Sequence, residues 1–176
     1  MDIEAQNIYG RIHSRQVRLL KFLPDDERTS IVFEAHSIDG PMPSYRALSC
    51  SWASDGSAIK KSWTIKTARG DLPTLDYLQS FVQVLRSNKT MCDGRWWIDY
   101  LCINQADLVE RAEQVRLMQQ VYDRAHEVIV WLGDQSSDSD RAFNFIKLHD
   151  KIIQEANSDE QIRKSFDLQT DKYTAH

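Results

Sequence analysis

Two short apolar runs, RWWID at 95–99 and EVIVWL at 127–132, stand on either side of a long segment with helical spacing, 108–125. The runs are too short for helices and are rich in aromatic and β-branched residues, so they read as strands. Between them Leu108, Ala112, Val115, Met118, Tyr122 and Ala125 recur on one helical face, with Glu, Arg and Gln opposite; this predicts an amphipathic helix with that face in the core. Asp107 followed three residues later by Glu110 is a capping-box pattern, in which the acid at the third helical position reaches back to the N-cap amide. A strand, a helix and a second strand in this order imply a crossover connection between parallel strands. Neither run alternates with polar residues, which predicts strands covered on both faces.

The pattern extends in both directions. Tyr45–Trp52 (YRALSCSW) reads as a buried strand, and 53–61 as a loop. A helix is expected over Pro73–Arg86, capped by Asp71, with Pro73 in its first turn and Leu75, Leu78, Val82 and Leu85 on its inner face. QVRLLKFL at 16–23 and TSIVFEAHSI at 29–38 are strands joined by the turn residues Pro24, Asp25 and Asp26, hence an antiparallel hairpin. A further helix is expected from about Ser139 to Glu155, and the remaining polar stretch to His176 as a helix or tail. The sum is an α/β three-layer sandwich around a mainly parallel sheet, with the hairpin added at one edge. One domain over 1–155, with its core about 16–150, is followed by the polar segment 156–176.

Composition narrows the function. The 176 residues suit a single core, and a net charge of −4 without a Lys/Arg block gives no phosphate-tracking surface for nucleic acid. Met1 is followed by Asp2 and Glu4 rather than an apolar stretch, and no apolar run approaches the ~20 residues that span a bilayer. Cys50, Cys92 and Cys102 are odd in number, form no CxxC pair and have no grouped histidines. A reducing cytoplasm is therefore expected, with no metal site. The six glycines are not grouped, so no phosphate-cradling loop and no tightly held cofactor are expected.

Three co-linear blocks carry a resemblance. The first is Tyr45-Arg46-Ala47-Leu48-Ser49 with Trp52, and the second is WIDYLCINQ at 97–105. The third comprises Glu110, Arg111, Gln114, Val115, Met118, Tyr122 and Ala125, followed by Val130-Trp131-Leu132-Gly133. With VRLLKFLP near the start, roughly residues 16 to 150 resemble the heterokaryon-incompatibility (HET) domain of filamentous fungi. The chain departs from that family at Ser49-Cys50-Ser51-Trp52-Ala53, where members usually read Ser-Tyr-x-Trp-Gly. The resemblance implies a module that triggers programmed cell death when incompatible strains fuse. It implies self-association, and as partners either an incompatibility protein or the remainder of a larger parent chain. It also implies a distant likeness to Toll/interleukin-1 receptor (TIR) domains and a flavodoxin/TIR-like fold. Some TIR domains hydrolyse NAD through a glutamate and others are purely assembly scaffolds, so both readings stand open, with NAD as substrate in the first. A flavodoxin-like nucleotide sensor is a third class, disfavoured by the missing phosphate loop.

Sheets of this kind gather reactive groups at the carboxyl ends of their strands. Asp99 follows two tryptophans at such an end, where an acid is costly unless hydrogen-bonded or functional. Its alternative is a structural acid accepting backbone N–H groups from the 102–105 loop. Glu110 is either the capping-box acid or, by the resemblance, the carboxylate that stabilises a ribosyl cation as nicotinamide leaves. Asp99 is expected to be substantially buried, and Glu110 to sit at the mouth of the same cleft. Ser49 and Trp52 are placed to contact a ligand, Trp52 by stacking or else by core packing. Asn104 and Gln105 are expected to organise their loop or meet a ligand amide. Arg111 either holds a phosphate or pairs with Asp107 or Glu127. Cys102, between Leu101 and Ile103, reads as an inert buried thiol.

Overall fold

The computed structural model describes residues 8–23, 29–50, 61, 63–134, 138–151 and 153–155. In chain order its elements are β1 (Gln16–Leu23), β2 (Ser30–Ser37), β3 (Arg46–Cys50), β4 (Trp63–Thr67), β5 (Gly70–Thr74), α1 (Asp76–Ser87) and the short α2 (Lys89–Cys92). Then come β6 (Arg95–Ile98), the one-turn α3 (Asp99–Cys102), α4 (Leu108–Arg124) and β7 (Glu127–Trp131). The seven strands form one sheet in the order β5-β4-β2-β1-β6-β3-β7. The architecture is therefore mixed α/β, as expected, and the three strands read from the apolar runs are neighbours in it.

The sheet is not mainly parallel. β3 pairs parallel with β6 and β7, and β2 with β4, while β1–β2, β1–β6 and β4–β5 are antiparallel. The β1–β2 pair forms the expected antiparallel hairpin, with Gln16 opposite Ser37 and Leu23 opposite Ser30. It lies in the middle of the sheet rather than at its edge, because β1 joins β6 and β2 joins β4. β1 suits such a place, with Val17, Leu19, Leu20 and Phe22 buried, and β2 adds the buried Ile31.

A second hairpin, β4–β5, replaces the expected start of the first helix. Thr67 Oγ1 accepts the Arg69 N–H and donates to the Gly70 carbonyl, and Gly70 takes φ +135°, a conformation that favours glycine. Asp71 and Pro73 thus belong to β5 and do not cap a helix. Pro73 is tolerated because β5 is an edge strand, where a missing N–H breaks no sheet on its outer side. Helix α1 begins at Asp76 after Leu75, which makes no side-chain cap, and it buries Leu78, Phe81, Val82 and Leu85.

β6 shows where the helices pack. Trp96 meets Phe81 of α1 edge-on at 5.4 Å, and Trp97 meets Tyr122 of α4 at 5.3 Å. Successive strand residues point to opposite faces, so around β6 these helices cover opposite sides. β7 closes the sheet as an edge strand. Val128, Val130 and Leu132 are exposed, against the expectation of two-sided burial, while Ile129 and Trp131 pack against the core. Gly133 ends it at φ +100°.

Helix α4 is present as expected, capped by Asp107, whose Oδ1 accepts the Val109 and Glu110 N–H groups at 3.0 and 3.1 Å. The buried face is turned from the expected one. Gln114, Leu117 and Val121 are buried and Met118, Tyr122 and Ala125 half-buried, but Leu108, Ala112 and Val115 are exposed. Met1–Gly133 and Asp134–His176 are separate compact units. In the second, 139–151 and 153–155 are helical, with the exposed i,i+4 pair Lys151–Glu155.

Candidate functional site

The parallel pairing of β3 with β6 sets Leu48 against Ile98, so the next residues are Ser49, near the end of β3, and Asp99, just past the end of β6. β3 lies between β6 and β7, and in α/β sheets the carboxyl ends of parallel strands are where ligands are met. Tyr122 of α4 reaches over the same end. Its hydroxyl donates to the Leu48 carbonyl at 3.3 Å and hydrogen-bonds the Ser49 side chain. Burial, together with the charge of Asp99 and the Cys50 thiol, pushes the Tyr122 phenol up to about 12, against the Ser49 bond.

Burial and then the Asp99 carboxylate push the Cys50 thiol up to about 12 as well. Cys50 therefore stays protonated near neutrality and is no thiolate nucleophile. Asp99 is half-buried, less than expected. Its Oδ1 accepts the Tyr100 N–H at 2.6 Å, fixing the carboxylate at the start of α3. Its main-chain carbonyl, not its side chain, takes the Ile103 N–H and the Gln105 Nε2. The Trp97 indole, edge-on to Tyr122, has its Nε1 buried with no hydrogen-bond partner among the described residues.

The second acid sits differently. Glu110 is clamped by Arg18 of β1, whose guanidinium is only 1% exposed and meets both carboxylate oxygens, one at 2.9 Å. Glu110 Oε1 also accepts the Asn104 N–H at 2.8 Å. The expected capping box is thus half made. Asp107 caps the helix, but its own N–H goes to the Asn104 carbonyl, and Glu110 reaches past it to Asn104 and Arg18. Arg18 further donates to the carbonyls of Tyr9, Gly10 and Cys102. This network ties β1, the segment before it, the 102–107 loop and α4 together. Glu110 is at 12% side-chain exposure, more enclosed than a residue at a cleft mouth.

Asn104 is buried and organises its loop as expected, its Oδ1 accepting the Ala106 N–H. Arg111 is exposed on α4, and Glu127, one partner expected for it, pairs with Arg46 instead. Cys102 is fully buried, and burial drives its thiol up to about 12 despite the Ile98 N–H bond and nearby Arg18, the inert state expected. Trp52 lies outside the described residues. Two participants were missed. Tyr122 was read only as a core residue, and an arginine inside QVRLLKFL was a signal that something acidic must meet it. Among the described residues no group of three or more His, Cys, Asp or Glu side chains is gathered as for a metal. None of the described helices is long and apolar enough to cross a membrane.

Ser49, Asp99 and Tyr122 thus bring a carboxylate and two hydroxyls to one strand end. Such a set can accept hydrogen bonds from a sugar, donate to a phosphate or amide, and stabilise positive charge. A family model described as heterokaryon incompatibility protein (HET) matches residues 45–175. Heterokaryon incompatibility protein 6, OR allele, of Neurospora crassa is 35% identical over 111 residues, which cover 59% of this chain and 16% of that protein. The chain spans less than a fifth of the length of this relative. No solved structure matches.

Proposed function

We propose, from the premise that this chain belongs to the heterokaryon-incompatibility (HET) domain family, that it acts in fungal heterokaryon incompatibility as the domain that triggers cell death in the cytoplasm. The curated relative is named for heterokaryon incompatibility. In this reading the helices on either side of β6 make a three-layer, TIR-like arrangement, and the carboxyl ends of β3 and β6 take NAD. Water and NAD give nicotinamide, ADP-ribose and a proton: the N-glycosidic bond breaks, nicotinamide takes the electron pair, and water adds to the ribosyl cation and gives up its proton to solvent. The observation that carries this reading is that the parallel register of β3 and β6 brings Ser49 and Asp99 to the same end of the sheet, where the Tyr122 hydroxyl reaches the Leu48 carbonyl.

Asp99 is then the carboxylate that faces the developing cation, with Ser49, Asn104 and Arg111 as ligand-contacting groups and Trp52 as the stacking ring. Glu110, the other acid expected to act, is already neutralised by Arg18, which supports a fold-keeping share for it. The same clamp favours a second reading, a non-enzymatic module that works by self-association and by recruiting an incompatibility protein or the rest of a longer chain. No nucleic acid or membrane enters either reading.

The test is nicotinamide release from NAD by the purified, concentrated chain. Asp99→Asn, with an unchanged melt, is expected to lower the rate about a hundredfold, the scale of a lost electrostatic contact at a transition state. No release by wild type that demonstrably self-associates would leave the scaffold reading.

A further inference from the structure

β2 is paired along one side and open along most of the other. Its register with β1 runs the whole strand, from Ser30 opposite Leu23 to Ser37 opposite Gln16. The Ile38 N–H donates to the Arg15 carbonyl at 2.9 Å, so the main-chain groups at even-numbered positions face β1. Along a strand these groups change sides at each residue, and those of Ile31, Phe33, Ala35 and Ser37 face the other way. The Lys66 N–H of β4 accordingly donates to the Thr29 carbonyl. On that side β4 pairs only with Ser30 and Ile31, then turns back through Ala68 and Arg69 into β5. Beyond the turn, Phe33 and Ala35 have no strand partner among the described residues, and Ala35 and Ser37 are exposed.

Sheets commonly blunt such an edge with proline, lysine or a bulge. SIVFEAHS at 30–37 has none of them, and its pairing with β1 is unbroken. An open edge takes a further strand, and the side chains decide which one. A second copy of β2 can lie there antiparallel about a two-fold axis, with odd-numbered residues meeting odd-numbered ones. Registers centred on Phe33 or Glu34 bring the incoming strand opposite Ile31, where β4 already sits. A register centred on His36 sets two imidazoles against each other and leaves Phe33 outside the pairing. Centred on Ala35, Phe33 of each copy meets Ser37 of the other, and the paired stretch stops short of Ile31. Glu34 then stands opposite His36 of the second copy on both sides of the axis, an imidazole N–H facing a carboxylate. Lys21 and Arg95 hold that carboxylate in place, at 2.6 and 2.7 Å, and His36 of its own strand is 3.4 Å away.

We propose that the open edge of β2 is a homotypic interface: a second copy of the chain pairs its own β2 antiparallel, Ala35 opposite Ala35, and continues the sheet across the two molecules. This rests on the self-association reading above and names its surface. It is independent of whether NAD is cleaved.

Sedimentation velocity over a concentration series reads the assembly, and wild type should go from monomer to dimer as concentration rises. Ala35→Pro removes an edge N–H that β1 does not use, so it should weaken association at least tenfold while circular dichroism stays that of wild type. Cross-linking reads the register. With Ala35→Cys, oxidised glutathione should join two chains, because facing residues lie about 5.5 Å apart at Cα. Ser37→Cys should not self-link, its two copies being roughly 14 Å apart along the strands. A wild type that stays monomeric overturns both the surface and the self-association reading. A wild type that dimerises while folded Ala35→Pro dimerises equally well overturns the surface alone. So does a dimer in which Ala35→Cys fails to link, or in which Ser37→Cys links as readily; this second measurement decides the matter if Ala35→Pro does not fold.

Discussion

Replacing Glu110 by glutamine changes one oxygen to an amide and leaves the shape of the side chain almost intact. In the structure that oxygen pair receives Arg18 at both ends and the Asn104 N–H at one. The guanidinium, at 1% exposure, cannot turn to water when its counter-charge disappears; it keeps only the carbonyls of Tyr9, Gly10 and Cys102. An amide can accept one of its N–H groups, but its NH2 meets the other donors as a repulsive contact. Breaking a buried ion pair from one side costs roughly 3–5 kcal/mol because a charge is left uncompensated. For a domain of this size that corresponds to a fall in Tm of about 6–20 °C. Scanning calorimetry of Glu110→Gln, Arg18→Met and the double variant measures it. The double variant should lose less than the two single losses added, with a coupling of about 1–3 kcal/mol, since neither charge is then left alone. A Glu110→Gln melt superimposable on wild type would refute this reasoning and return Glu110 to the role of a free acid at a cleft. The same prediction fixes how activity data are read: killing lost with Glu110→Gln reports on the fold unless the melt is unchanged, whereas Asp99→Asn tests the chemistry.

Asp107→Ala removes the acceptor for two helix N–H groups and should cost about 1 kcal/mol in denaturant titration. Leu117→Ala should cost roughly 2–5 kcal/mol and Met118→Ala, half-buried, less, while Leu108→Ala and Val115→Ala should change monomer stability little; equal losses at 115 and 117 would mean the helix is turned the other way. Burial raises the Glu34 carboxyl, but Lys21, Arg95 and His36 outweigh it and bring the group down to about 2 from its ordinary 4.5. A carboxyl lowered on folding stabilises above its unfolded value, so this contribution should be intact above about pH 4.5 and lost as pH falls toward 2. Glu34→Gln should flatten that part of an acid stability curve and weaken the protein near neutrality, where Lys21 and Arg95 stand directly opposite each other on β1 and β6; an unchanged curve would exclude Glu34 as a source of the acid sensitivity.

Local signals needed only the sequence. Asp107 as a cap, α4 as a helix, Gly133 as the strand exit and the three apolar strands follow from side-chain chemistry acting within a few residues. The inert Cys102 between Leu101 and Ile103 was legible for the same reason, and so was the family, whose blocks are contiguous in the chain. What tertiary structure decided is where those pieces meet. A continuous apolar run such as EVIVWL fits a central strand and an edge strand equally, and only the folded chain shows that β7 pairs with β3 alone and that its Ile129–Trp131 face meets the core while Val128 and Val130 face solvent. The stripe at Leu108, Ala112 and Val115 and the face at Gln114, Leu117 and Val121 both keep helical period, so periodicity could not choose between them; the buried Arg18 could, because it draws Glu110 inward and sets the rotation of the helix. Arg18 and Glu110 are distant in sequence, as are Ser49, Asp99 and Tyr122. Electrostatic and hydrogen-bond partners across such separations are selected by which strands become neighbours, and that selection belongs to the folded chain as a whole.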